Sequence, residues 1–316
     1  MAKRALTKKV MASVFAAVLG ATALVALSAC SQVESTLGIV SNSDPAVELE
    51  STLPAGSVIE DGVLTVGVNA SKSPYGGKNA NGETIGLDVD VAAALADELG
   101  CKVKVVDVST DGKTAVTDGT VDVALGAVKS GSNKSLSYTS AYINDGASLF
   151  CLVKNMPDSV SSVDLSKEKV LVQEASSASY EIQDVLGIDA VDTVPTIQEA
   201  FEALESGEYT YFVADAVVGD YYSRDYSDVV RVDFLSANDV SPVYAVTASS
   251  NKELSTAVDQ ALENVISNGS LDVVAAKWLG SQSSTLMPGS VDVESLPATF
   301  GAKVKTSGSK EAQKAE

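Results

Sequence analysis

The chain contains no histidine, which removes every histidine-based catalytic triad and every histidine-ligated metal site from consideration. Cysteine is scarce. Cys30, Cys101 and Cys151 are the only three in 316 residues, too few for the four-ligand thiolate sets of structural zinc. No metal and no cofactor is therefore expected. Arginine is limited to Arg4, Arg224 and Arg231, and positive charge as a whole is short, with 22 Lys and Arg against 42 Asp and Glu for a net of −20. Lys3, Arg4, Lys8 and Lys9 fall in the first 29 residues, which hold no acid, so removing that segment takes the net from −20 to −24. Such an excess argues against nucleic acid and anionic lipid surfaces as partners.

That basic start is followed by an apolar run over residues 10–27 and then Leu27, Ser28, Ala29 and Cys30. The pattern predicts a lipoprotein signal peptide over residues 1–29, with Cys30 lipidated as the new N-terminus and the protein held outside the cytoplasm on the cell membrane. Residues 30–57, rich in Ser, Glu and small side chains without a sustained period, read as a flexible tether. Export permits a Cys101–Cys151 disulfide, and two buried free thiols are the alternative the sequence leaves open.

The body is organised around residues 63–100. Leu64, Val66 and Val68 alternate with Thr65 and Gly67, a strand pattern. Pro74, Gly76, Gly77 and Gly82 then mark a long loop. Asp88 and Asp90 open a helix whose stripe is Val91, Leu95 and Leu99 and whose stop is Gly100. A loop leaving the carboxyl end of a strand in an open α/β sheet is where ligands settle. Residues 121–128 form a nearly continuous apolar strand of the parallel-sheet kind. Thr196 with Glu199, and Ser250 with Glu253, predict capped helices, and Asp215 stands at the carboxyl end of a strand. From residue 281 onward Ser, Gly, Pro, Lys and Glu dominate without period, which predicts a disordered tail over 281–316.

These motifs come in a recognisable order. Val66, Gly67, Pro74, Tyr75, Gly82 and the run Gly86, Leu87, Asp88, Val89, Asp90, Val91 are followed by Gly119 and Asp122, and by Tyr138, Thr139 and Tyr142. Ala175, Ser176 and Ser177 then precede the strand that ends at Asp215, and Lys277 with Trp278 closes the body. The chain resembles the extracellular solute-binding proteins of family 3, receptors that feed amino-acid ABC transporters, over roughly residues 58–280. The resemblance implies an α/β fold of two lobes, the type II periplasmic-binding-protein arrangement. The first lobe is expected over 58–154 and 241–280, and the second, inserted over 155–240, is joined by a two-strand hinge. It also implies a monomeric non-enzyme that captures an amino acid or related small carboxylate and hands it to an ABC permease.

In that family an arginine of the first lobe clamps the ligand carboxylate and an acid of the second takes the ammonium. Asp215 matches the acid and Ser176 the helix-terminal hydroxyl, but the arginine is missing. Lys134 is its expected substitute, although lysine lacks the planar fork. The ligand-stacking aromatic falls on Lys72, and Tyr75 is either structural or ligand-facing. The expected ligand-binding set is Asn69, Lys72, Tyr75, Lys129, Lys134, Ser176 and Asp215. Three lysines also leave an anionic ligand open. The missing arginine keeps a non-transport surface lipoprotein, sensing or scavenging, as an alternative. An enzyme of the same fold, such as a cyclohexadienyl dehydratase, would need a further acid, for which Glu174 is the candidate.

Overall fold

The computed structural model describes residues 51–108, 110–186 and 191–298. The expected signal peptide, Cys30, the tether up to residue 50 and the tail from residue 299 lie outside the described residues.

Two five-stranded sheets carry the body. Strand β1 (Val63–Val68) lies parallel to β4 (Lys102–Asp107) on one side and to β5 (Val123–Val128) on the other; β12 (Ser241–Ala248) is antiparallel to β5, and β6 (Leu136–Asp145) is antiparallel to β12, in the order β4-β1-β5-β12-β6. The second sheet runs β11-β7-β10-β8-β9, from β7 (Ala147–Leu152), β8 (Val170–Gln173), β9 (Asp192–Val194), β10 (Tyr211–Asp215) and β11 (Val229–Phe234). A two-strand ribbon, β2 (Gly77–Lys78) with β3 (Thr84–Ile85), stands apart in the loop after β1. Five of the six β1 side chains and all six of β7 are buried, as expected of strands covered on both faces.

Helix α1 (Leu87–Glu98) buries Leu87, Val91 and Leu95 against the first sheet, beside α6 (Lys252–Ser267) and α7 (Ser270–Leu279). A short α2 (Lys113–Thr117) covers the opposite face. In the second lobe α3 (Ser177–Leu186), α4 (Ile197–Ser206) and α5 (Ala216–Ser223) follow β8, β9 and β10. Helix α4 begins as expected, with Thr196 Oγ1 accepting from the Glu199 N–H at 3.2 Å, and ends on Gly207 in the left-handed region.

The chain passes from the first sheet to the second at Gly146 and returns between β11 and β12. The changeover is thus earlier than expected, because residues 147–152 pair with β10 and β11 and belong to the second lobe. Gly146 has φ 130, and a Cβ there would stand 1.8 Å from the Asp239 carbonyl oxygen of the returning strand. The two crossings are that close. Cys101 borders the first sheet, Cys151 lies in the second, and both are buried free thiols.

The expected tail also needs correcting. Residues Gly280–Leu286 form a 3-10 helix, and Leu286, Met287 and Leu296 are buried in the first-lobe core. Three apolar residues without a helical or strand period leave no pattern to read.

Candidate ligand cleft

The carboxyl ends of β1 and β5 point towards the second lobe, and the long loop after β1 folds back over them. Gly76 and Gly86 allow this, since a Cβ on Gly86 would fall 2.2 Å from the Tyr75 carbonyl oxygen and one on Gly76 2.5 Å from that of Asn69. The fold-back buries Tyr75, 1% exposed. Its hydroxyl donates to Asp145 Oδ2 at 2.8 Å, while Asp145 Oδ1 accepts from the backbone of Gly146 (2.8 Å) and Val217 (3.1 Å). One carboxylate at the changeover therefore holds the first-lobe loop, the crossing strand and the start of α5.

Above the Tyr75 ring sits the Lys72 ammonium, 4.4 Å from the centroid. Below it lies Asp88, in the first turn of α1, whose Oδ1 accepts from the Tyr142 hydroxyl at 2.6 Å; that hydroxyl in turn accepts from the Gly126 N–H at 2.9 Å. Asn69, Lys72, Tyr75, Asp88, Thr110 and Gly126 line a cavity of about 160 Å³ here. Asn69 uses its side-chain oxygen locally, accepting from the Ser71 N–H at 2.9 Å.

From the second lobe, Asp215 ends β10 and precedes α5 without a side-chain cap bond, so its carboxylate is not consumed by the helix. The Ser177 side chain favours its ionised form. Ser176 does not play the expected part: its hydroxyl donates to the Gln173 carbonyl (2.8 Å) and accepts from the Ser179 N–H (3.0 Å), closing the turn into α3. Burial, reinforced by the Asp145 charge, raises the Asp215 carboxyl to about 7, with Lys72 pulling the other way. Burial likewise raises Asp88 to about 7 against the Tyr142 bond and Lys72. Lys72 thus acts on one acid from each lobe.

One expected lysine, Lys134, is not brought to this cleft. Leu136 pairs with Ala248 and Ser137 with Thr247, level with Val123 at the start of β5 rather than with Val128 at its end. Lys134 precedes Leu136, so it stands at the far end of the sheet, roughly 17 Å from the cleft at ~3.4 Å per residue. Its carbonyl accepts from the Ser249 hydroxyl there. Lys129 directly follows Val128, the cavity-lining residue at the carboxyl end of β5, and its ammonium lies 5.5 Å from the Tyr138 ring and 5.9 Å from that of Tyr244. Glu174 is exposed. A larger cavity of about 350 Å³ at the same far end is lined by Ile59, Asp122 and Asn251. Both Asp122 oxygens are taken by the Ile59 and Thr65 N–H groups, and Asn251 by Ser57 and Leu254.

Sequence reading passed over Asp145, and took Ser177 as part of a family turn and Asp88 as a helix-opening acid of the family motif, neither as a ligand-binding residue. The signal for Asp88 was present in its place ahead of Val89 and Asp90. Asp145 carried none.

Two α/β lobes joined by two crossing segments, with polar side chains gathered at strand ends between them, define a protein that captures a small ligand by closing on it. Residues 64–281 match the bacterial extracellular solute-binding proteins, family 3, and the chain belongs to that family. It is 25% identical to the glutamate-binding protein GluB of Corynebacterium glutamicum over 86% of this chain and 92% of that one. It is 24% identical to the L-cystine-binding protein TcyJ of Escherichia coli K12, over 71% and 85%. A polar amino acid ABC uptake transporter substrate-binding protein from Streptococcus thermophilus shares the fold with a TM-score of 0.60, at 24% identity over 69% of this chain and 86% of that one.

Proposed function

We propose that this protein is an extracytoplasmic receptor, anchored by lipid on Cys30, that captures a small ammonium-bearing solute of the amino-acid type and delivers it to an ABC permease. Asp215 carries the reading. It is a carboxylate at a strand end with no helix-capping duty, and Lys72 of the other lobe bears on its charge. The ligand ammonium pairs with it as the lobes close, and the closed state is favoured by contacts the open state lacks. Relatives named as glutamate-binding and L-cystine-binding support a ligand of the amino-acid type. With Lys134 at the far end of the sheet, the anionic alternative keeps Lys72 and Lys129.

A thermal-shift screen of amino acids, dicarboxylates and small peptides identifies the ligand, because a solute bound only by the folded state raises the melting temperature. Calorimetry of Asp215→Asn then loses about 2 to 5 kcal/mol of affinity, the cost of leaving a buried ligand charge unpaired. Unchanged affinity in that variant removes the assignment. Anchoring has its own check: a fatty-acid label enters the wild type and not Cys30→Ala, and a labelled variant refutes it.

A further inference from the structure

The capture reading needs the charged groups of the two lobes presented at a set spacing, and the inference drawn here rests on that reading. On the first-lobe side stands Lys72, whose ammonium lies over the Tyr75 ring and bears on the charge of Asp215. The Gly76 N–H donates to the Lys72 carbonyl at 2.9 Å, so cation and ring belong to one closed turn. The ring is buried, and the hydroxyl at its tip ends on Asp145 Oδ2. Lys72 therefore moves with Tyr75, and Tyr75 is held by Asp145.

On the second-lobe side stands Asp215, the last residue of β10, whose backbone pairs with Ala147. The next two N–H groups, at the start of α5, are both taken up at the outgoing crossing: Ala216 donates to the Gly146 carbonyl at 2.9 Å and Val217 to Asp145 Oδ1 at 3.1 Å. Asp145 itself ends β6 of the first sheet, opposite Ser241 at the start of β12. It is 7% exposed and, among the described residues, forms no ion pair; its three donors come from the first-lobe loop, the crossing and the second lobe. One oxygen thus serves the arm that ends in Lys72, and the other the arm that ends in Asp215.

We propose that Asp145 is a positioning residue of the ligand cleft, a joint at which the arms carrying Lys72 and Asp215 are fixed to the crossing and to each other. A group at the crossing is displaced least when the lobes rotate about it, so its bonds persist while the cleft opens and closes. An ionised carboxylate suits the place because it accepts from both sides at once and has no donor of its own to leave unmet. The bond from the Tyr75 hydroxyl carries the coupling. With that bond cut, a buried carboxylate oxygen is left without a donor, which is costly. The side chain regains partners by turning towards water, and that movement withdraws Oδ1 from the Val217 N–H. Loosening the first-lobe loop thereby loosens the start of a helix in the second lobe.

Hydrogen exchange of the full chain without ligand, read peptide by peptide in a mass spectrometer, tests it. Tyr75→Phe removes only the hydroxyl and leaves the ring under Lys72. It is expected to speed exchange about fivefold or more both in peptides covering residues 72–76 and in peptides covering residues 216–222, with those of α6 unchanged. Tyr142→Phe deletes an equally buried hydroxyl whose bond, to Asp88, stays inside the first lobe, and is expected to leave residues 216–222 as they were. Asp145→Asn leaves either the Tyr75 hydroxyl or the two N–H groups without an acceptor, so it should loosen the same two segments, and adding Tyr75→Phe to it should do less than Tyr75→Phe alone. Should Asp145→Asn fail to fold, Tyr75→Phe decides. Acceleration confined to the first-lobe loop, or spread evenly into α6, overturns the coupling, as does acceleration of residues 216–222 by Tyr142→Phe. The readout needs no solute, so its failure leaves capture standing. Unchanged affinity in Asp215→Asn removes the capture assignment and leaves the coupling to be judged by exchange.

Discussion

Burial raises the carboxyls of Asp88 and Asp215 to about 7, and raises Asp122 and Asp239 as well. The folded protein therefore keeps protons that the unfolded chain releases between about pH 4 and 7, and stability falls as pH rises through that window, then levels off. The melting temperature of the ligand-free protein should drop between pH 5 and pH 8, and the drop should shrink in Asp88→Asn and in Asp215→Asn. A flat profile in the wild type rules this out. The same burial explains what residue-level sequence reading found and missed. Asp215 was visible because it ends an apolar strand. Lys134 was misplaced because counting along a chain gives no sign of which end of a strand a residue reaches. Register does, through the pairing of Leu136 with Ala248.

At the scale of elements, most of the body was legible: the β1 strand, the α1 stripe of Val91 and Leu95 and the Thr196 cap all stand where the patterns put them. The cap of α6 is shifted by one residue, since Asn251 rather than Ser250 accepts from the Leu254 N–H. Either side chain suits that position, so composition did not decide between them. Strand β7 shows a deeper limit. A fully buried strand reads the same in either sheet, and only its partners, β10 and β11, assign Ala147–Leu152 to the second lobe. Asp145 was unreadable for a related reason: two of its three donors, Tyr75 and Val217, come from distant parts of the chain.

For the whole molecule the segment beyond α7 matters most, because residues 280–298 touch both lobes and both crossings. Gln282 exchanges two bonds with the Arg231 backbone, at 2.8 and 3.1 Å, along the edge of the second sheet. Thr285 meets the Arg231 guanidinium, whose Nε bonds both oxygens of Asp220 at 3.1 and 3.2 Å. Met287 accepts from Asn144 on β6 at 3.3 Å, and Pro297 from the Ala237 N–H at 2.8 Å. Leu286, Met287 and Leu296 fix the segment in the first-lobe core. A strap anchored in one lobe and bonded to the edge strand of the other resists any rotation that separates them. Two kinds of substitution separate its roles. Arg231→Ala strands Asp220 without a partner in the interior and should cost about 3 to 5 kcal/mol in urea unfolding. Gln282→Ala with Thr285→Ala cuts the strap's grip and should cost about 1 kcal/mol per lost bond. X-ray scattering of that double variant without ligand should show a larger radius of gyration than the wild type, with the added ligand restoring compactness. If its scattering matches the wild type while its stability falls, the strap braces the fold and leaves the lobes free to open.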